Sequence, residues 1–156
     1  MKKIIAFIAA IFFASFSHAQ ISETKYDSAL AKKLNADDYG MKNYVFVILK
    51  SGSNTSEDKE VKDSVFKGHL KNIQRLANIH KLIVAGPFGE NTGDFRGLFI
   101  LNMGSIDEAK KLLETGPAIK ASYLKPELYP WYGSAALQEV SGSRRIKTAK
   151  KSILTF

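Results

Sequence analysis

The sequence predicts an α+β fold of four strands and two main helices in the order β-α-β-β-α-β. Three observations carry that prediction. Tyr44–Leu49 and much of Phe95–Met103 are continuous apolar runs rich in β-branched and aromatic residues, the pattern of strands buried on both faces. Glu57–Ile79 repeats its apolar residues at helical spacing. Tyr123–Trp131 carries Pro126 and Pro130, which cannot donate to a ladder, so this strand belongs at a sheet edge.

The N-terminus is read apart from that fold. Met1-Lys2-Lys3 is basic, Ile4–Phe16 is almost wholly apolar, and Ser17-His18-Ala19 places small residues where a signal peptidase cuts. The apolar run is shorter than the about 20 residues a spanning helix needs. Residues 1–19 are therefore expected to be a signal peptide, cleaved after Ala19, with the mature chain exported to the periplasm or beyond the cell. The chain has no cysteine. That excludes a lipidated cysteine anchor, disulfides, cysteine zinc sites and thiol catalysis.

A formal charge of +8 suggests an anionic partner, but its distribution removes the suggestion. Lys2 and Lys3 belong to the signal, and Arg144, Arg145, Lys147, Lys150 and Lys151 lie in the C-terminal tail. Between these ends, basic and acidic residues nearly balance. The tail, residues 138–156, reads as a basic, flexible, solvated appendage able to touch an anionic membrane surface. No nucleic-acid partner is expected of an exported protein.

The elements follow in order. Residues 20–43 are a polar lead-in in which Tyr26, Leu30 and Leu34 suggest a short helix, ending at the turn Asp37-Asp38-Tyr39-Gly40. After the first strand, Ser51–Ser56 is a loop with Ser56 as the expected N-cap. The long helix has Val61, Val65, Ile73, Leu76 and Ala77 as its apolar stripe, with His69 on it. Gly68 weakens the helix unless it allows a close approach. Leu82–Ala85 is the second strand, expected to stop at Gly86-Pro87. Gly89–Asp94 is dense in turn residues and fits a hairpin into the third strand. Ser105 caps a second helix whose inner face is Ile106, Ala109, Leu112 and Leu113; Gly116-Pro117 breaks it.

This order is the split βαβ, or ferredoxin-like, arrangement, expected over residues 44–137. Two helices cover one face of an antiparallel sheet, yet two strands look apolar on both. A second copy of the chain is the expected cover, making a homodimer through the open face.

An ordered set of features sharpens the expectation: His69-Leu70 on a helix, a strand running into Gly86-Pro87-Phe88, Gly116-Pro117 in a helical segment, and the closing Glu127-Leu128-Tyr129-Pro130-Trp131. Over Lys42–Leu137 this set resembles the YCII-related (YciI-like) family, and Ala36–Met41 with Pro130–Leu137 resembles an exported subgroup of it. The resemblance implies a dimeric α+β barrel with a cleft between sheet and helices, and an active site of a helix histidine and an aspartate. His69 matches the histidine. The aspartate precedes a proline in the family; here Gly116 precedes Pro117. A carboxylate would fix the imidazole tautomer and raise its basicity. Glu127 and Asp94 are the open candidates to replace it. Family members that isomerise lactones or remove halogen imply proton transfer or elimination without a cofactor.

Each candidate also has a plainer role. His69 is either a catalytic base or a hydrogen-bonded histidine at a helix–sheet seam. Phe88, Arg96, Glu127 and Trp131 are candidate substrate-binding residues; the plainer role is capping the core for Phe88, packing under the tail for Trp131 and a salt bridge for Arg96. His80 suits the C-terminal end of its helix. No phosphate loop, nucleophile elbow, metal site or cofactor motif is present. The expected function is binding of a small organic ligand, with acid–base chemistry of isomerase or lyase type at His69. The alternative is a non-catalytic dimer that has lost its His-Asp pair.

Overall fold

Alternation along the first strand sets the architecture. In Met41–Ser51 (β1), Val45, Val47 and Leu49 point to one side, and Tyr44, Phe46 and Ile48 to the other. The computed structural model describes residues 26–142, the last two by backbone alone. The signal peptide, its cleavage site and the basic tail beyond 142 lie outside the described residues.

The elements are α1 Ser28–Leu34, β1, α2 Lys59–Asn78, β2 Leu82–Pro87, β3 Phe95–Leu101, α3 Ile106–Leu113, α4 Pro117–Lys120, β4 Leu124–Ser134 and α5 Leu137–Gly142. The sheet order is β2-β3-β1-β4, with every pairing antiparallel. That is the ferredoxin-like order, with proline-bearing β4 at an edge. On the helix side, Val45, Val47, Leu49, Leu82, Phe99, Leu101 and Leu124 pack against Leu76, Ala109, Leu113 and Ala118.

Several expectations change in detail. Asp58, not Ser56, caps α2: its Oδ1 accepts from Glu60 N at 3.1 Å and Val61 N at 3.2 Å, while Ser56 Oγ accepts from Asp58 N. Val61 then falls in the first turn, short of the sheet, and is exposed. β2 runs through Gly86-Pro87, which pair with Leu98 and Gly97; proline is tolerated because β2 is an edge strand. β3 ends at Leu101, earlier than Met103. Gly116-Pro117 does break α3, and Pro117 then starts the one-turn α4. Gly68 serves that turn: a Cβ there would lie 3.1 Å from Pro117 Cγ.

The second face is not wholly open. Leu137 of α5 packs on Tyr44, Ile83 and Ile100, with Phe46, Val84 and Leu98 beside them. The fold thus continues past residue 137, where the tail was expected to begin. Gln138 Nε2 donates to Leu34 O at 2.8 Å, tying α5 to α1. Beyond this cover, Phe46, Ile48 and Leu98 are half-buried, and Phe88, Tyr129 and Trp131 are exposed.

Candidate functional site

His69 sits midway along α2 and keeps only 8% of its surface exposed. Its ring stacks on Phe99 of β3 at 6.1 Å and 22°, and meets Phe66 edge-on at 6.1 Å. The Nδ1 atom is enclosed and has no hydrogen-bond partner. Burial pushes the imidazole pKa below its ordinary 6.5, so the ring is neutral at pH 7. No ion pair joins it to a carboxylate among the described residues.

A second buried polar atom shares this seam, and sequence reasoning missed it. Tyr123, 7% exposed, packs its ring on Phe66 at 5.9 Å, and its hydroxyl is also enclosed without a partner. Local backbone chemistry holds it there. Ser122 adopts a left-handed conformation, φ 59°, costly for a residue with a Cβ. The β1–α2 loop straps that turn down: Gly52 N donates to Tyr123 O, Asn54 N to Ser122 O and Asn54 Nδ2 to Ala121 O, each at 2.9 Å. Gly52 is required there, since a Cβ would collide with the Ser122 carbonyl oxygen and come within 2.7 Å of its carbon. The one sequence signal for Tyr123 is an aromatic residue at the start of a strand, which is too common to stand out.

The other candidates do not converge on His69. Leu124 and Leu128 of β4 face the helices, so Glu127, between them in the alternation, faces the other way. Glu127 Oε1 pairs with Lys50 Nζ at 2.9 Å, and Tyr129 Oη donates to Oε2 at 3.2 Å. That hydrogen bond from Lys50 holds the Glu127 carboxyl below the usual range. Lys50 also lies 5.5 Å from the Phe95 ring, which packs on Phe88 at 5.7 Å. Arg96 Nε donates to Ser51 Oγ at 2.7 Å; it makes this hydrogen bond rather than a salt bridge. Trp131 packs on Tyr44 at 5.7 Å and Phe46 at 6.4 Å, on the open face. The expected single cleft is therefore two surfaces separated by the sheet. His69 stands on one, and Glu127 and Trp131 on the other.

Gly116 stands beside Asn72. A Cβ built there lies 3.3 Å from Asn72 Nδ2 and 3.1 Å from Leu113 O. Asn72 is one helical turn beyond His69, and it donates no group that replaces a carboxylate; its Oδ1 is taken by Arg75. Among the described residues no three His, Cys, Asp or Glu side chains gather as a metal site, and no helix is long and apolar enough to cross a membrane.

No protein-family model matches the sequence, and no curated protein matches it. Among solved structures it is similar to 5-chloro-2-hydroxyhydroquinone dehydrochlorinase from Burkholderia phenoliruptrix, in complex with 2,5-dihydroxybenzoquinone. The two are 26% identical with a TM-score of 0.42, over 56% of this chain and 92% of that one. The fold assignment rests on the strand order and register of this chain. The YCII-related resemblance rests on its motifs.

Proposed function

We propose that this protein binds a small organic molecule in the seam between α2 and the sheet, with His69 as a polar anchor. One observation carries the reading: a nine-tenths buried imidazole whose Nδ1 has no partner. Such an atom costs stability, and a bound group that pairs with it removes the cost. Binding without turnover is favoured over acid–base catalysis. An efficient base needs a neighbour that stabilises the imidazolium, whereas the rings around His69 are apolar and its burial disfavours the charged form. Cofactor-independent isomerase or lyase chemistry would need a carboxylate brought in by the ligand or by a second subunit.

The test is a fragment screen by ligand-observed NMR on the wild-type protein and the His69→Gln variant. Hits that vanish in the variant are expected. A screen in which no hit depends on His69 sinks the reading.

We further propose that the chain works as a homodimer through the part of the sheet face that α5 leaves open. The exposed Phe88, Tyr129 and Trp131, beside half-buried Phe46, Ile48 and Leu98, support this. The patch carries both Lys50 and Glu127, so it suits a two-fold interface in which it meets itself. The signal pattern of residues 1–19 supports export.

A further inference from the structure

The sheet face opposite the helices is covered at one end by α5 and bare beyond it. Leu137 of α5 packs on Tyr44, Ile83 and Ile100. Next to that cover, Trp131 lies against Tyr44 and Phe46 with 36% of its surface exposed, and Tyr129 and Phe88 are exposed too. The indole is laid over Gly133, where a Cβ would collide with three of its ring carbons. Its inner side is thus spoken for, and its outer side is offered to whatever covers the face. The chain itself supplies a cover. α5 ends at Gly142, and residues 143–156 follow directly from it. Their sequence divides in two: Arg144, Arg145, Lys147, Lys150 and Lys151 carry all the charged side chains, and Ile153-Leu154-Thr155-Phe156 is apolar but for one threonine. In an extended segment Leu154 and Phe156 share a side.

We propose that residues 143–156 fold back over the bare part of this face, with Leu154 and Phe156 on Trp131 and Phe46, and that they compete there with a second copy of the chain. The competition rests on the dimer reading above and adds its regulation; the cover itself does not depend on it. The tether is long enough. Residues 143–152 extend up to about 33 Å. Tyr44, under α5, and half-buried Ile48 are only about 13 Å apart along β1. A short tether holds its segment at an effective concentration on the order of millimolar, so a second copy at micromolar concentration must bind about a thousandfold more tightly to displace it. The basic stretch stays in water as the tether, because Glu127 on this face is already paired with Lys50 at 2.9 Å. The apolar end makes the contact and removes exposed ring surface from water.

Trp131 is the only tryptophan in the sequence, so its fluorescence reports on this face alone. Acrylamide quenching is measured on residues 20–156 and on the same chain carrying Leu154→Asp and Phe156→Asp, over an about hundredfold range of protein concentration, with sedimentation velocity alongside. Both substitutions lie outside the described core. The wild type is expected to resist quenching equally at every concentration. The variant should quench about two- to threefold more readily when dilute, and should dimerise at lower concentration than the wild type. Wild-type protection that appears only as concentration rises, and is unchanged in the variant, overturns the tail as cover and leaves the dimer standing. Protection lost in the variant with both proteins monomeric keeps the tail cover and overturns the dimer and the competition. A variant that dimerises more weakly than the wild type makes the tail part of the interface and overturns the competition. A ring quenched as freely in the wild type as in the variant, in a monomer at every concentration, overturns the tail cover and the dimer together.

Discussion

Replacing His69 with leucine should make this protein more stable, the opposite of most core substitutions. The wild type buries Nδ1 unpaired, which costs about 1–3 kcal/mol. Leucine has a similar volume and no polar atom. Against that gain stand the contacts with Phe99 and Phe66, worth about 0.5–1.5 kcal/mol. The balance favours the variant by about 1 kcal/mol at pH 8. A pH term adds to it. Burial holds the folded-state pKa of His69 below 6.5, so just below that pH the unfolded chain binds the proton and the folded chain does not. Wild-type stability attributable to this ring is therefore complete above about pH 6.5 and declines as pH falls, by up to about 1.4 kcal/mol per unit until the folded value is reached. Leucine has no such term. Urea unfolding of both proteins at pH 8, 6.5 and 5 should show the variant ahead throughout, with the gap widening at pH 5. A variant more than about 1 kcal/mol less stable at pH 8, or a gap that stays constant with pH, refutes the argument that this nitrogen is buried and unpaired.

Gly52→Ala should cost about 2–4 kcal/mol in urea unfolding, because its Cβ meets the backbone of Ser122 and Tyr123 and endangers the strap's hydrogen bonds; a loss under about 0.5 kcal/mol would mean the strap yields freely. Tyr129→Glu with Trp131→Glu should convert the proposed dimer to monomer, since both side chains are exposed on the open sheet face; a wild type that sediments as a monomer, or a sedimentation coefficient unchanged by the variant, excludes that face as the interface. Asp37→Asn should return the Tyr132 phenol from about 12 toward its ordinary 10.0, because the hydrogen bond to the Asp37 carboxylate is the main cause of its rise. An ultraviolet titration in which the slowest-ionising tyrosine is unmoved contradicts this.

The main strands and helices were legible because each carries a run, a period or a breaker. β1 is a continuous β-branched and aromatic run, α2 repeats at helical spacing, and Pro126 and Pro130 mark β4 as an edge. The facing of Glu127 stayed open in the sequence and follows only once Leu124 and Leu128 are seen to pack on the helix side. The α5 helix was hidden because its six residues are too few to show a period, and Leu137 gains its role only from Tyr44, Ile83 and Ile100, distant in sequence. Tyr123 was hidden for a related reason. An unpaired hydroxyl is a property of what surrounds it, and residues from α2, α4 and the β1–α2 loop determine that. The left-handed turn that aims it is made at a serine, without the glycine that usually announces one.

The joining of α1 to α5 makes the described chain a closed ring held without a covalent bond. Lys33 Nζ meets Glu139 Oε1 at 3.2 Å, and Gln138 reaches the carbonyl of Leu34, contacts between residues 106 and 104 positions apart. The chain has no cysteine, so no disulfide can make this closure. The difference is reversibility. A covalent clasp restricts the unfolded chain, whereas this one exists only while both ends are folded. Release of α1 would remove one support of α5, whose Leu137 covers Tyr44, Ile83 and Ile100. Cover over this part of the sheet face is thus tied to the docking of α1 against α5.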